Sequence, residues 1–290
     1  MAVRYRFGRD DQEEDVHQER RRVGLVLARP AKVLGEEPYY HEFLEGLERM
    51  LTPAGVSVLV KVVTDSEAEA ETYERWAADG RVDGVVLTDL APDDDRVGLV
   101  LRLGLPAVVI GAPSTASGLP TVWTDDLGFA REAIRFLAER GHRVIGRISG
   151  PPAFAHTQLR RTGADEEAKA RDVRVLHAEG DYSYESGRAA ITELLEAKPT
   201  AVVCDSDLMA LAVLDTLRER GLNVPADISV VAWDDSAQCQ LAVPALSAMS
   251  HDVARIGELA AGAVLDAMNG VPPAVYEAPA AHIVVRASTR

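Results

Sequence analysis

The sequence predicts an α/β fold made of two similar lobes, each built around a parallel β-sheet. Short apolar runs rich in β-branched residues alternate with helical patterns along most of the 290 residues, as in parallel sheets with right-handed crossovers. The alternation occurs twice, with the Gly141-His142 turn between the two series. Because no low-complexity linker separates the series, we expect the lobes to meet at a hinge with several chain crossings.

The first series follows a highly charged segment, residues 1–22, which we expect to form a solvated tail. Four strands are predicted, over residues 23–28, 56–63, 82–88 and 105–110. A helix is predicted over residues 39–51, because apolar side chains recur there at helical spacing and Pro53 ends the pattern. A second helix is expected from Ser66 to about Gly80.

The second series repeats this rhythm, with strands expected over residues 144–148, 173–177, 201–204 and 228–232. Helices are predicted over residues 186–197, 208–221 and 254–268, and a closing strand over residues 282–286. We assign residues 23–141 and 251–275 to the N-terminal lobe. The C-terminal lobe is expected to contain residues 142–250 and 276–290.

Polar side chains follow two of the buried strands at the point where each strand ends. The apolar run 201–203 leads into Asp205, Ser206 and Asp207, and the run 228–232 leads into Trp233 and Asp234. In open α/β sheets, ligands bind beyond the carboxyl ends of the strands. An indole beside carboxylates suits a polyhydroxylated ligand, since the ring packs on C–H groups and the carboxylates accept from hydroxyls.

Composition limits the classes of partner. The net charge of −15 argues against binding of duplex DNA by this chain alone, because such binding depends on clustered Lys and Arg. The basic run at residues 20–22 follows an acidic run, and we favour a solvated tail over a nucleic-acid arm. Two cysteines, no long apolar span and no secretory core predict a cytoplasmic protein that has no membrane partner.

No motif indicates catalysis. The chain lacks a phosphate-binding Gly-x-x-x-x-Gly-Lys loop, and the segment from Gly146 to Gly150 has the wrong spacing for a nucleophile elbow. The seven histidines show no pairing at metal-ligand spacing. We therefore expect a protein that is not an enzyme, with no catalytic residue, no cofactor and no metal.

Consecutive motifs from about Val23 to the C-terminus resemble those of the LacI/GalR transcriptional regulators. The most specific starts at Val224 and reads Val-Pro-Ala-Asp-Ile-Ser-Val-Val-Ala-Trp-Asp-Asp-Ser; two others are Glu37-Pro-Tyr-Tyr-His-Glu-Phe-Leu-Glu-Gly and Gly180-Asp-Tyr-Ser-Tyr-Glu-Ser-Gly. The resemblance implies a type I periplasmic-binding-protein-like core: two Rossmann-like lobes that close on a small-molecule effector. It also implies a homodimer whose state the effector controls allosterically.

Members of this family normally carry an N-terminal helix-turn-helix domain that binds operator DNA. The residues before Val23 show no pair of helices with a turn. Three interpretations stay open: a fragment, a start set too late in the gene, or a sensor that has lost its DNA-binding domain. Operator DNA is expected as a partner only if a helix-turn-helix is encoded upstream.

The resemblance also implies a set of effector-binding residues, of which Asp234 is the strongest single candidate. The set consists of Tyr39, Tyr40, Asp126, His156, Arg160, Tyr182, Ser206, Asp207, Trp233, Asp234 and His251. Four positions have other interpretations. Tyr40 could belong to the core, Asp207 could cap the following helix, and His251 could be a hydrogen-bonded hinge residue. Arg160 could be a surface helix arginine, although its neighbour Arg161 fits that role better.

The function predicted from these residues is the ligand-sensing core of a LacI-type regulator whose effector is a sugar or sugar derivative. Purines and amino-acid derivatives stay open as effectors. The alternative is a stand-alone cytoplasmic sugar-binding sensor that does not bind DNA. An enzyme acting on sugars would need two carboxylates facing each other across the scissile bond, and the adjacent pair Asp125 and Asp126 does not provide that geometry.

Overall fold

Two six-stranded sheets organise the computed structural model, which describes residues 21–29 and 37–290. The first half of the chain contains β1 (Arg21–Ala28), α1 (Pro38–Leu51), β2 (Val56–Val63), α2 (Ser66–Ala78), β3 (Gly84–Leu87), α3 (Asp95–Leu103), β4 (Ala107–Ile110) and β5 (Thr121–Trp123). These strands, together with β11 (Val275–Glu277), form the first sheet in the order β11-β5-β4-β3-β1-β2. All of its strand pairs are parallel.

The second half of the chain forms the second sheet, in the order β12-β10-β9-β8-β6-β7. Besides β11, this half of the chain contains α4 (Asp126–Glu139), β6 (Val144–Ser149), α5 (Ala155–Ala170), β7 (Arg174–Glu179), α6 (Tyr184–Leu194), β8 (Ala201–Cys204), α7 (Asp207–Glu219), β9 (Ser229–Ala232), α8 (Ala237–Leu241), β10 (Ser247–Ser250), α9 (Val253–Met268) and β12 (His282–Val284). Only the pairing of β10 with β12 is antiparallel. The predicted α/β class with two parallel sheets is confirmed.

The short central strands are buried on both faces, as the continuous apolar runs predicted. Every residue of β3, β8 and β9 is buried, and helices cover the sheets on both sides. Side chains at the helix starts satisfy free backbone N–H groups. Asp65, Asp94 and Asp252 do so for α2, α3 and α9.

Glycines let two helix pairs approach more closely than side chains would allow. In the α1–α9 pair, a Cβ added at Gly46 would lie 1.9 Å from the carbonyl oxygen of Ala254. In the α4–α5 pair, a Cβ at Gly163 would lie 2.2 Å from the carbonyl oxygen of Leu127. The second approach brings the inner face of α5 against the start of α4, and both helices contribute side chains to the candidate site.

The packing of two helices bears on the lobe boundaries. Helix α4 packs against α5 and β12, which places it with the second sheet, whereas α9 packs against α1 and the strands of the first sheet. Strand β11 also belongs to the first sheet. We therefore propose chain crossings near residues 124, 251 and 279, so that the first crossing precedes α4 instead of following it at residue 141.

Most of the predicted elements are present, with ends shifted by one to three residues. Strand β1 begins at Arg21, so Arg21 and Arg22 belong to the strand and not to the predicted tail; the rest of that tail lies outside the described residues. Strands β5, β10 and β11 were not predicted from the sequence. None of the helices within residues 21–29 and 37–290 is long and apolar enough to cross a membrane.

Candidate ligand-binding cleft

A cavity of about 80 Å³ lies where the carboxyl ends of the two sheets face each other. Eight of the eleven predicted residues line it: Tyr39, Tyr40, Asp126, His156, Arg160, Tyr182, Trp233 and Asp234. Asp205, expected there from its place at a strand end, also lines it, and seven residues that were not predicted complete the lining: Arg29, Glu37, Thr88, Asp89, Ile110, Gly111 and Thr124. Both sheets contribute, so the cavity is a cleft between them.

Arg160 lies at the centre of the second-sheet side of the cleft. Its Nε donates to Asp126 Oδ1 at 2.7 Å, and its guanidinium lies 4.3 Å from the ring centre of Trp233. A third contact joins Nη1 to the carbonyl oxygen of Asp205 at 3.4 Å. The neighbouring Arg161 is exposed and faces Asp165, as predicted for a surface arginine. Arg160 is therefore fixed in direction before any ligand binds.

Asp207 and Ser206 lie beneath the cleft and do not line it. The Asp207 carboxylate accepts hydrogen bonds from the backbone amides of Trp233, Asp234 and Ser236, at 2.7–2.9 Å. Ser206 is the N-cap of α7, where its hydroxyl accepts from the amide of Met209 at 3.3 Å. The cap predicted for Asp207 is thus made by Ser206, while Asp207 holds the loop that follows β9.

That loop presents Trp233 and Asp234 to the cleft. Trp233 is 1% exposed, and its Nε1 has no hydrogen-bond partner within the described residues. Because Arg160 covers its ring, the indole supports the guanidinium and does not offer an open stacking face. Burial, together with the Asp207 charge, raises the pKa of Asp234 well above its ordinary value.

The two tyrosines of α1 have different positions. The Tyr40 hydroxyl donates to Asp89 Oδ2 at 2.8 Å, and its side chain is almost fully buried. Tyr39 packs edge-on against Tyr40 and stacks parallel to Phe43. Tyr39 reaches the cleft as an aromatic surface, whereas Tyr40 acts mainly by holding Asp89.

His156 and Tyr182 form a polar pair at the other side of the cleft, where His156 Nε2 lies 2.7 Å from the Tyr182 hydroxyl. Burial and the charge of Arg160 lower the pKa of His156, so a neutral imidazole is favoured. Tyr182 has a backbone φ of 70°, a left-handed conformation that is rare for an aromatic residue and that often accompanies functional sites.

Arg29 and its two carboxylate partners were missed in the sequence. Arg29 donates to Asp89 Oδ2 through Nε and Nη2, at 3.0 and 2.6 Å, and to Glu37 Oε2 through Nη1 at 2.9 Å. Its guanidinium also lies 4.5 Å from the ring centre of Tyr182, which belongs to the second-sheet side. Arg29 and Asp89 follow β1 and β3 directly, so the rule that identified Asp234 could have found them.

His251 does not line the cleft. It lies between β10 and α9, where its ring packs against Phe129 and Trp233. Its Nε2 is buried without a partner within the described residues. Burial and the nearby Arg160 lower its pKa to about 3. His251 therefore supports Trp233 from behind as a neutral ring.

The fold and the cleft define a two-lobed ligand-binding protein of the periplasmic-binding-protein type. Residues 134–289 match the periplasmic binding protein-like domain family. The transcriptional regulator CelR of Thermobifida fusca is 33% identical over 258 residues, which cover 86% of this chain and 75% of the relative. The repressor CytR of Escherichia coli is 30% identical and is covered over 70% of its length.

Solved structures of transcriptional regulators have the same fold. A LacI family transcriptional regulator from Bifidobacterium animalis aligns with a TM-score of 0.83 and 33% identity, over 92% of this chain and 97% of that chain. A complex of the regulator CelR with cellobiose aligns with a TM-score of 0.84 and 31% identity, over 93% and 85%. The chain belongs to the LacI family of transcriptional regulators, which confirms the resemblance in its motifs.

Proposed function

We propose that this chain is the effector-sensing core of a LacI-type regulator and that it binds a sugar or sugar derivative in the cleft. The observation that carries the proposal is the arrangement of Arg160, Asp126 and Asp234 beside Tyr39 and other aromatic rings. A guanidinium and carboxylates match vicinal hydroxyls, and ring faces match the C–H faces of a pyranose. The similar CelR structure holds cellobiose, which supports a saccharide effector.

The volume of the cleft supports a mechanism of opening and closing. About 80 Å³ is much smaller than the roughly 300–1,000 Å³ of ordinary ligand pockets. Contacts that join the sides among the described residues include Arg29 over the rings of Tyr182 and Phe154, and the Ala155 amide donating to the Leu90 carbonyl oxygen at 2.8 Å. An effector must enter a more open arrangement, and its different affinity for the two arrangements shifts their populations.

We further propose that the protein acts in the cytoplasm as a homodimer and regulates operator binding by a helix-turn-helix domain; its relatives CelR and CytR are named as HTH-type transcriptional regulators. Two large apolar side chains beside α8, Leu241 and Val243, are 82% and 85% exposed. Exposed apolar side chains of this kind are typical of an interface. Sedimentation of Val243→Glu should give monomers, whereas Leu101→Glu, at another exposed apolar position, should remain dimeric.

A thermal-shift screen of disaccharides and nucleobases tests the proposed effector class. We expect a saccharide at 100 times its Kd to stabilise the protein by about 2.7 kcal/mol. Asp234→Ala should abolish this stabilisation while the unliganded protein stays folded, and the exposed control Asp79→Ala should preserve it. Stabilisation by a nucleobase alone would contradict the saccharide class of the effector. Stabilisation by a saccharide equally in Asp234→Ala would contradict the assignment of the cleft as its binding site.

A further inference from the structure

The cleft holds more carboxylates than cations. Its described lining contains two guanidiniums, Arg29 and Arg160, and five carboxylates: Glu37, Asp89, Asp126, Asp205 and Asp234. A third guanidinium, Arg147, lies directly behind Asp205 and pairs with it through Nε at 3.1 Å and through Nη2. Three cations therefore face five carboxyl groups within the described residues, so two of the carboxyl groups depend on bound protons for charge balance.

The pairing identifies which carboxylates are in excess. Asp205 is paired with Arg147, and Asp126 is paired with Arg160. Arg29 is shared between Asp89 and Glu37, so this one cation serves two carboxylates. Asp234 forms no salt bridge within the described part of the chain. The excess therefore lies on the Asp89–Glu37 pair and on Asp234, on opposite sides of the cleft.

The surroundings of Asp234 increase its need for a cation. Its backbone amide donates to Asp207, and the charges of Asp207, Glu37 and Glu42 all favour the protonated form of its side chain. Arg160 opposes them, but it is already paired with Asp126. Burial without a cationic partner favours a protonated Asp234, and an incoming ammonium group would replace that proton as its partner.

Two further features restrict the ligand. A larger cavity of about 630 Å³ shares Thr88 and Asp89 with the lining of the cleft and is also acidic, since Glu67, Glu74, Asp93 and Asp95 stand in its lining beside Arg96 and Arg102. An acidic surface next to the cleft raises the local concentration of cations. Trp233, a lining residue of the cleft, has a buried Nε1–H donor without a partner among the described residues, and such a donor suits an acceptor oxygen. The ligand that satisfies both groups carries a positive charge and oxygen acceptors.

We infer that the cleft selects a cationic saccharide, an amino sugar whose ammonium group pairs with Asp234, over its neutral counterpart. The inference rests on the proposed function, that the cleft binds a saccharide. It adds the charge of the effector, which neither the family nor the cellobiose complex of the similar regulator specifies for this chain.

The test is calorimetric titration at pH 6.5 with three β-1,4-linked disaccharides of the same ring skeleton: cellobiose, the diglucosamine and its N,N′-diacetyl derivative. The diglucosamine should bind about tenfold more tightly than cellobiose, and the diacetyl derivative should have no such advantage. Asp234→Asn should reduce the ratio to about one, because it removes the charge and keeps the shape. The control Asp79→Asn removes one exposed charge outside the cleft and should leave the ratio unchanged.

Three results overturn the inference. Equal or tighter binding of cellobiose shows that the cleft does not select the charge. A preference for diglucosamine that survives in Asp234→Asn shows that another group supplies the selectivity. In both cases the proposed saccharide sensor stands. If none of the three disaccharides binds and a nucleobase does, the proposed function fails together with this inference.

Discussion

Both sides of the cleft contain an arginine held between carboxylates, yet the two arginines differ in what they join. Arg160 makes its contacts to Asp126, Asp205 and Trp233 on the second-sheet side alone. Arg29 is held by Asp89 and Glu37 on the first-sheet side and also covers the ring of Tyr182 on the opposite side. One arginine therefore shapes a wall of the cleft, and the other joins the two walls.

Both walls have buried supports. The second-sheet wall rests on two buried carboxylates, Asp205 paired with Arg147 and Asp207 bonded to three backbone amides. The first-sheet wall rests on Arg96, which donates to the carbonyl oxygen of Asp89 at 3.0 Å and pairs with Glu69 and Asp94. Both walls are therefore preformed, and of the contacts made by the two cleft arginines only those of Arg29 across the cleft change when the cleft opens.

The largest expected effect comes from breaking the support of the second-sheet wall. Arg147→Ala leaves Asp205 buried without its partner and should lower the free energy of unfolding by about 3–5 kcal/mol, measured by urea denaturation. The double variant Arg147→Met/Asp205→Leu should recover most of this stability, since it removes both charges. A double variant as unstable as Arg147→Ala would show that the pair is not the source of the loss.

The two walls should also respond to acid in opposite directions. Burial raises the pKa of Glu37 to about 7, although Arg29 opposes the shift. The folded protein therefore holds a proton that the unfolded chain releases above about pH 4.5. This stability is fully present below that pH and is lost as the pH rises through 7. Between pH 7 and pH 5, Glu37 should add about 2 kcal/mol to the free energy of unfolding.

For His251, a fall in pH has the opposite effect on the free energy of unfolding. Its pKa is lowered to about 3, so only the unfolded chain binds a proton below about pH 6.5, and about 2 kcal/mol is lost between pH 7 and pH 5. Denaturant titrations at both pH values test this pair. Glu37→Gln should make the protein more acid-sensitive than wild type, and His251→Phe less so. If acid sensitivity changed in the same direction in both variants, the opposite pKa shifts assigned to Glu37 and His251 would be contradicted.

The smallest effect concerns the contact that joins the walls. Tyr182→Leu removes the ring beneath Arg29 and should cost about 1 kcal/mol, with a larger radius of gyration in small-angle scattering because the open arrangement gains population. Tyr39→Leu is the matched control, since its ring packs against Tyr40 and Phe43 of the first-sheet side. An equal increase of the radius of gyration in both variants would show that the contact between Arg29 and Tyr182 does not hold the two walls together.

Strand periodicity and polar strand ends are local signals, so they predicted the fold and the place of Asp205, Trp233 and Asp234 at the cleft. The other predicted lining residues came from the resemblance to LacI/GalR motifs. The sequence could not separate Asp207 from Asp234. Both follow buried strands of the second sheet. The backbone amides that donate to the Asp207 carboxylate belong to residues 26 to 29 positions later in the chain. Strands β5, β10 and β11 read Thr-Val-Trp, Ser-Ala-Met-Ser and Val-Tyr-Glu, so they lack the apolar β-branched run that identified the equally short β8 and β9.

Two further limits have physical causes. His251 was expected among the ligand contacts, but the packing of its ring between Phe129 and Trp233 depends on how β10 meets α9 in three dimensions. Arg29 was missed although its position after β1 follows the strand-end rule. Only its bonds to Glu37 and Asp89, 8 and 60 residues away, show that it faces the cleft.

The most direct test of the central claim, that a saccharide binds between the two walls, is hydrogen–deuterium exchange with and without saturating β-1,4-diglucosamine, with cellobiose in parallel. The backbone amides of residues 88–90, 155–160 and 232–236 should become protected together, because they line or support both walls of the cleft. The exposed segment 78–81, outside the lining of the cleft, should not change. Protection confined to one wall, or absent from residues 232–236 with either disaccharide, would contradict the claim.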